Sequence, residues 1–567
     1  MTVKIDYDSI PRSYREYLEQ MVKEGEYLAI DDEVDWDLEM GAICRYADET
    51  MSPSPIFNNV KDSPGFRAAE WGFTKSGTRG RPWCRVAPNV GAPPDATLME
   101  ILEAYMHSVE NNPVHPPKIL DAKDAPCKEN KWTGDDIDLM KLPVPLQHAG
   151  DAERMLQSAG VNTCQTPDGK WTSWSINRSA VHDKNTMKGY WIAPNQHNGM
   201  VWAQWAEKGE DMPFAIAFGV PPVCAWQSAS RIPDNVSEYD VASQMLNAPI
   251  EMVKCETNDL LVPATSEIVV EGVVSASEML MEGPYGEHAG YHFDHKKAPK
   301  QRQDITCVTF RNNAILPTAV PAVTPNSTVI GIAVCNSGDV VLALKKEGFP
   351  VIDGLATIES SGSWFVLRVK NDWHKTTGWS LDEFMTKLGK FIWWDHIGGC
   401  FTKLLVVGED IDPEDPLAVT YAFATRNHPE KGVWFFADSP KFGVGTEAYH
   451  TTEDYFGRIG VPGQKIKSGS GICIYSCLGT EEMVDQPKPH ILTFRRAWPK
   501  DVQDKVMANW DDWGFRTPDP VLQKHASQST PWVYFNESGE GETHKGDYES
   551  TLSLGGLGAA DETEEGA

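Results

Sequence analysis

Two carboxylates five residues apart bracket a tight turn in Glu282-Gly-Pro-Tyr-Gly-Glu287. Gly283 and Gly286 permit backbone torsions that other residues resist, and Pro284 stiffens the turn, so the pair belongs on a loop and not on a helix. The β-branched run from Glu267 to Val274 reads as the strand that delivers this loop. Close carboxylates push each other's pKa values apart, which is what acid/base chemistry requires. Spacing alone fits two solvated surface charges better than a paired site. Arg178 ends the alternating segment Trp171-Thr-Ser-Trp-Ser-Ile-Asn-Arg178, read as a strand. Its fork can bind a carboxylate, or it can serve as a salt-bridged rim residue. His288, His292 and His295 follow the turn with the four-then-three spacing of helical zinc sites, which defines an alternative, a zinc hydrolase. Gly290, the Pro-Gly turn and the adjacent Lys296 and Lys297 oppose that convergence. His197, in Pro194-Asn-Gln-His197, is a weak ligand candidate by itself.

These groups need elements to position them. Pro11 to Glu24 has helical periodicity, with Ser9 as the cap and Gly25 as the stop, followed by a strand at Tyr27 to Ile30 and a helix at Asp95 to Val109. From residue 126 to 325 short β-like runs dominate, at 171–176, 190–192, 214–220, 268–274 and 305–310, which predicts a barrel-like domain. Ser237 is placed to cap a helix whose first turn holds Glu238. From 326 to 520 α/β alternation returns, with strands expected at 340–344, 364–369 and 401–407 and a helix at 381–393. The acidic, Gly-rich segment 521–567 reads as a tail. The expected domains are therefore 1–125, 126–325 and 326–520.

The totals narrow the function. A chain of 567 residues exceeds one core. Its 51 basic against 81 acidic residues give a net charge of −30, which opposes nucleic acid or an anionic membrane as partner. Eleven cysteines contain no Cys-x-x-Cys pair, as expected of reduced thiols. The first residues lack a signal-peptide core, and no apolar run is read as reaching the ~20 residues of a membrane span. The expectation is a cytoplasmic protein.

Several longer segments resemble the UbiD family of decarboxylases, closest to its fungal ferulic/phenylacrylic acid members. They are Gln165-Thr-Pro-Asp-Gly-Lys-Trp171 with Trp174-Ser-Ile and Arg178, Val181-His-Asp-Lys-Asn185, Phe218-Gly-Val-Pro-Pro222, the run from Lys254 to Glu267, Glu282 to Glu287, and Asn313-Ala-Ile-Leu-Pro317. The resemblance spans roughly residues 10 to 520. It implies an α+β architecture: an N-terminal α/β domain, a central split β-barrel holding prenylated FMN, and a C-terminal α/β domain that makes a homodimer. It also implies a flavin prenyltransferase as cofactor supplier, a Mn2+ or Mg2+ ion on the cofactor phosphate, and K+ nearby.

Carried over by position, the metal ligands are Ser173, His197 and Glu238, and the cofactor is lined by Ser173, Trp174, Ser175, Ile176, Asn177, Arg178, Gln196, His197, Glu238 and His396. Arg178 holds the substrate carboxylate, Glu282 orients Arg178 and remains ionised, and Glu287 donates the proton that replaces the carboxyl group. That last role calls for a Glu287 pKa raised by burial against Tyr285 and the flavin. The reaction implied is reversible, non-oxidative decarboxylation of an aromatic or α,β-unsaturated acid of cinnamate type, or of a hydroxybenzoate or heteroaromatic acid. Three departures stand out. Ser173 replaces the family's Asn, His396 replaces a Lys over the cofactor, and the pocket segment 442–455 is longer and more polar, beside a second pocket segment at 326–330.

Overall fold

The computed structural model describes residues 4–189, 196–292, 297–394, 401–436, 472–483, 492 and 494–515. The expectations for 190–192, His295, His396, 442–455 and 521–567 fall outside these. Two compact units divide at Gln486 and Pro487. The second contributes the short helices Phe494–Ala497 and Lys500–Ala508, followed by a stacked Trp510–Phe515 pair.

The first unit begins with Tyr14–Lys23, capped by Ser13, whose hydroxyl accepts from the Glu16 N–H at 3.2 Å. Ser9 is not that cap, because the helix starts only three residues beyond Pro11. A sheet follows in the order Tyr27–Val34, Ser54–Val60, Phe66–Glu70 and Ala314–Thr318. Thr97 and Glu100 form a reciprocal capping box on the helix Leu98–Asn111.

The centre is one curled half-barrel sheet of nine antiparallel strands. Its order runs Met155–Gln157, Ser179–Val181, Thr186–Gly189, Ala298–Phe310, Ile268–Glu282, Met212–Phe218, Val161–Gln165 and Thr172–Ser175, with Asn130–Thr133 paired to the Cys307–Phe310 end of Ala298–Phe310. Successive side chains point to opposite faces, and here both faces are covered. Phe214, Ile216, Ile268 and Val270 pack into one core, while Ala215, Ala217 and Val269 pack into the other. This double burial explains why these strands read as nearly continuous apolar runs.

The C-terminal sheet runs Val351–Ala356, Trp364–Val369, Lys403–Val407, Ile472–Ser476 and Val433–Phe436, and its three central strands are parallel. The strand expected at 340–344 is instead the end of a 20-residue helix, Ser327–Lys346. Val340, Val341 and Leu344 are fully buried, and a helix apolar around its whole surface carries no periodic stripe to distinguish it from a strand. This helix is also long and apolar enough to cross a membrane, contrary to the reading of the sequence, yet 82% of its most apolar window is buried inside the protein. It is a core helix. The ten cysteines among the described residues are all buried and unpaired.

Asp48 and Glu70 lie together in the N-terminal layer, 1% and 0% exposed. Burial pushes Asp48 up to about 6 against a hydrogen bond from Glu70 that favours its ionised form, and burial together with the Asp48 carboxylate pushes Glu70 well above the carboxylate range. A folded-state pKa above the unfolded value stabilises the fold at low pH, and that contribution is lost as pH rises through about 6. Asp48→Asn is therefore expected to melt about 2–4 °C above the parent at pH 8. The advantage should shrink as pH falls towards 4 in scanning calorimetry, and a pH-independent difference would contradict the buried-acid assignment.

Candidate active site

Glu282 closes its strand, paired in register with Ala298, so the loop begins only at Gly283. Gly283 has φ +95°, and a Cβ on Gly286 would lie 2.6 Å from the His148 ring nitrogen, so both positions require glycine. The segment from Gln147 to Glu153 clamps this loop. The Gly286 N–H donates to Asp151 Oδ1 at 2.8 Å, Ala152 N–H to the Pro284 carbonyl at 3.0 Å, and the Tyr285 hydroxyl to Gln147 Oε1 at 2.7 Å.

Arg178 is not on a strand. Residues 176–178 form a break between Thr172–Ser175 and Ser179–Val181, where the Ile176 N–H turns away to the Ser228 carbonyl at 3.0 Å. The break aims Arg178 at the carboxylate loop. Its Nε and Nη2 each donate to one oxygen of Glu282 at 3.0 Å, and its Nη1 donates to Glu287 Oε1 at 2.7 Å. The guanidinium sits 5.4 Å from the centre of the Tyr285 ring. Glu282 is 2% exposed, so this pair is a desolvated, bidentate one.

Burial pushes Glu287 up, but the Arg178 guanidinium beside it, helped by His288 and Lys300, holds it below its ordinary value overall. With Arg178 in contact, Glu287 is therefore the reverse of the raised acid expected from burial alone. Burial holds His288 below its ordinary value and Lys300 down to about 7.

A cavity of 240 Å³ opens beside this network. Its wall includes Trp174, Ser175, Ile176, Asn177, Arg178, Gln196, His197 and Glu238 from the expected set, together with Glu287. Glu282 stands behind Arg178, and Ser173 is fully buried behind the wall. Thr328 and Val329 line it too, from the pocket segment expected at 326–330, whereas Trp71, Arg231 and the clamp at 147–153 were not expected, because each comes from a separate stretch with no motif of its own.

At the other end of the cavity Glu238 opens its helix, Glu238–Leu246. The Ser237 hydroxyl accepts no cap bond from its own helix but donates to the Thr172 carbonyl at 2.6 Å, and so ties the helix start to the neighbouring strand. Glu238 accepts from the Trp174 N–H at 2.7 Å, its Oε1 lies 3.1 Å from His197 Nδ1, and Ser173 Oγ is 3.5 Å away. Burial raises the Glu238 pKa, since no lysine or arginine contacts it among the described residues. A buried carboxylate with imidazole and hydroxyl neighbours fits a divalent cation.

Sequence profiles of three domains of 3-octaprenyl-4-hydroxybenzoate carboxy-lyase match the chain: the N-terminal domain over residues 18–105, the Rift-related domain over 118–324 and the C-terminal domain over 336–461. Pyrrole-2-carboxylic acid decarboxylase of Pseudomonas aeruginosa is 32% identical over 505 residues, covering 88% of this chain and 98% of that protein. Ferulic acid decarboxylase 1 of Saccharomyces cerevisiae is 31% identical over 518 residues, covering 89% and 98%. The chain belongs to the UbiD family. An evolved dimeric form of the UbiD-class enzyme HmfF from Pelotomaculum thermopropionicum, solved with prFMN, superposes with a TM-score of 0.65 at 25% identity, covering 78% of this chain and all of that one.

The zinc reading cannot be followed to its third histidine, because His295 lies outside the described residues, and His288 and His292 are turned to different partners. His288 faces Glu287 and Arg178, whereas His292 Nε2 pairs with Asp151 at 3.5 Å.

Removing Arg178 strands a buried carboxylate. Arg178→Ala is expected to lower the unfolding free energy by about 3 kcal/mol, and Arg178→Met with Glu282→Gln by clearly less, in urea titrations. Equal losses would mean that Glu282 draws its compensating charge from elsewhere.

Proposed function

We propose that this UbiD-family chain is a prenylated-FMN-dependent carboxy-lyase that removes carbon dioxide, reversibly and without net oxidation, from an aromatic or α,β-unsaturated acid. The observation that carries this reading is the single guanidinium shared by Glu282 and Glu287 at the wall of the cavity. Glu282 occupies the Nε/Nη2 edge of Arg178, which leaves the Nη1 side, where Glu287 now sits, for a substrate carboxylate. An incoming carboxylate neutralises Arg178 and displaces Glu287 from it. The largest influence left on Glu287 is then burial, which raises its pKa and loads it with a proton. The bond between the carboxyl group and its carbon breaks, and Glu287 delivers its proton to that carbon before recovering one from solvent. The prenylated flavin supplies the electron sink for the pair left behind as carbon dioxide departs. Tyr285 and the clamp at 147–153 hold Glu287 in place during these steps.

His197 and Glu238 would hold Mn2+ or Mg2+ against the flavin phosphate, with K+ nearby, and a flavin prenyltransferase would supply the cofactor. The same proposal includes a homodimer formed through the C-terminal domain, where Leu417 and Phe435 are each 75% exposed, and a cytoplasmic location. Within this chemistry, His288 and the Thr328 hydroxyl, which has no hydrogen-bond partner among the described residues, give the cavity wall a polar character. That favours a heteroaromatic or hydroxylated acid as the second substrate reading beside cinnamates, in keeping with the pyrrole-2-carboxylic acid relative.

Protein co-produced with a flavin prenyltransferase should show bound prenylated FMN by mass and release carbon dioxide from one class in a panel of cinnamates, hydroxybenzoates and pyrrole- or furan-carboxylates. Flavin-loaded protein inert to every class would refute the reading. Glu287→Gln should lower kcat about 10²–10⁴-fold while leaving flavin content intact. Full activity in that variant would remove Glu287 from the proton transfer.

A further inference from the structure

Ser173 is the position at which the chain departs most sharply from the ligand set expected at its cation site. A serine hydroxyl is shorter and less strongly polar than an amide oxygen, and Ser173 Oγ stops 3.5 Å from Glu238 Oε1. An amide is nevertheless present. Asn198 follows His197 in the first turn of the helix His197–Lys208 and is fully buried. Its Oδ1 accepts from Ser173 Oγ at 3.0 Å and from Cys164 Sγ at 3.3 Å. Its Nδ2 donates to Ser175 Oγ, and Ser175 in turn bonds to Asn177. Asn177 Nδ2 then donates to Gln196 Oε1 at 2.6 Å. This chain of side chains fixes which end of the Asn198 amide faces Ser173, as outer partners of metal ligands do.

The spacing suits a cation. Two oxygen or nitrogen ligands about 2.1 Å from one ion and at right angles lie about 3.0 Å apart. His197 Nδ1 and Glu238 Oε1 are 3.1 Å apart, and Asn198 Oδ1 and Ser173 Oγ are 3.0 Å apart. Ser173 joins the two pairs, since its hydroxyl is within 3.5 Å of both Glu238 Oε1 and Asn198 Oδ1. We propose that Asn198 supplies, through Oδ1, the neutral carbonyl oxygen to the divalent cation held by His197 and Glu238, replacing the amide that Ser173 lacks. This rests on the cation site proposed above and names a ligand in a different element from the expected one.

The test is Mn2+ affinity, read by electron paramagnetic resonance of free Mn2+ in titrations of the full chain with FMN present, with thermal melting as the check on folding. Asn198→Ala should weaken Mn2+ binding at least about tenfold. Asn198→Asp keeps an oxygen at Oδ1 but cannot donate to Ser175, and should bind Mn2+ within about threefold of the parent or more tightly. Ser173→Asn combined with Asn198→Ala should recover most of the affinity. Unchanged binding in Asn198→Ala would overturn the proposal. Equal weakening in Asn198→Ala and Asn198→Asp would also overturn it, reducing Asn198 to a donor that positions Ser175. A double variant as weak as Asn198→Ala counts against it too. A parent protein that binds FMN, seen by fluorescence quenching, but not Mn2+ would refute the cation ligand while leaving the flavin reading standing.

Discussion

One guanidinium serving two carboxylates is the constraint on which the site depends. Glu282 is 2% exposed, and the fork of Arg178 matches its two oxygens, so the buried carboxylate has its counter-ion fixed in place. Meeting that demand dictates local structure on both sides. The Thr172–Ser175 strand must break so that Arg178 leaves the ladder, and the Ile268–Glu282 strand must run until Glu282 and then stop. The loop must then fold back within five residues to bring Glu287 to the remaining edge of the same group. Gly283 and Gly286 make that turn sterically possible, and Asp151 holds it by its backbone.

The two glutamates differ in what balances them. Glu282 faces Arg178 through two hydrogen bonds on the closed side of the guanidinium. Glu287 faces it through one, on the side open to the cavity, and burial opposes the guanidinium there. The balance at Glu287 is thus a difference between two large effects of opposite sign. Whatever neutralises Arg178 from the cavity shifts that balance towards the protonated acid, without any movement of the backbone. In the proposed mechanism, binding of an acid and arming of Glu287 as proton donor are therefore one event.

Local chemistry explains which features were readable from the sequence. The glycine-proline turn, the strand Thr172–Ser175 within the alternating 171–178 segment and the start of the Glu238 helix are each encoded within a few residues, and they lie in the expected places. Arg178's departure from its strand was not readable, because it depends on the Ser228 carbonyl some fifty residues away. The helix Ser327–Lys346 was misread in part because burial on all sides erases the polar face that marks a helix. The Gln147–Glu153 clamp and the Asp48–Glu70 pair consist of ordinary residues whose meaning comes only from their tertiary neighbours. Glu287 shows the same limit in electrostatics: burial was foreseeable, but the competing contact with Arg178 reversed its net effect.

The two ends of the cavity follow opposite charge logic. At one end, the chain provides its own cation, Arg178, whose Nη1 edge is not used by Glu282, so a carboxylate that takes the place of Glu287 finds a donor there. At the other, Glu238 is equally buried but faces only an imidazole, a hydroxyl and a backbone N–H among the described residues, so its charge calls for a cation from outside the chain. A molecule bridging the two would need an acid where Arg178 lies and an anion able to share a metal where Glu238 lies. No single small acid spans both demands. The proposed pair, a substrate acid at Arg178 and a phosphate-bearing cofactor at Glu238, answers both demands at once.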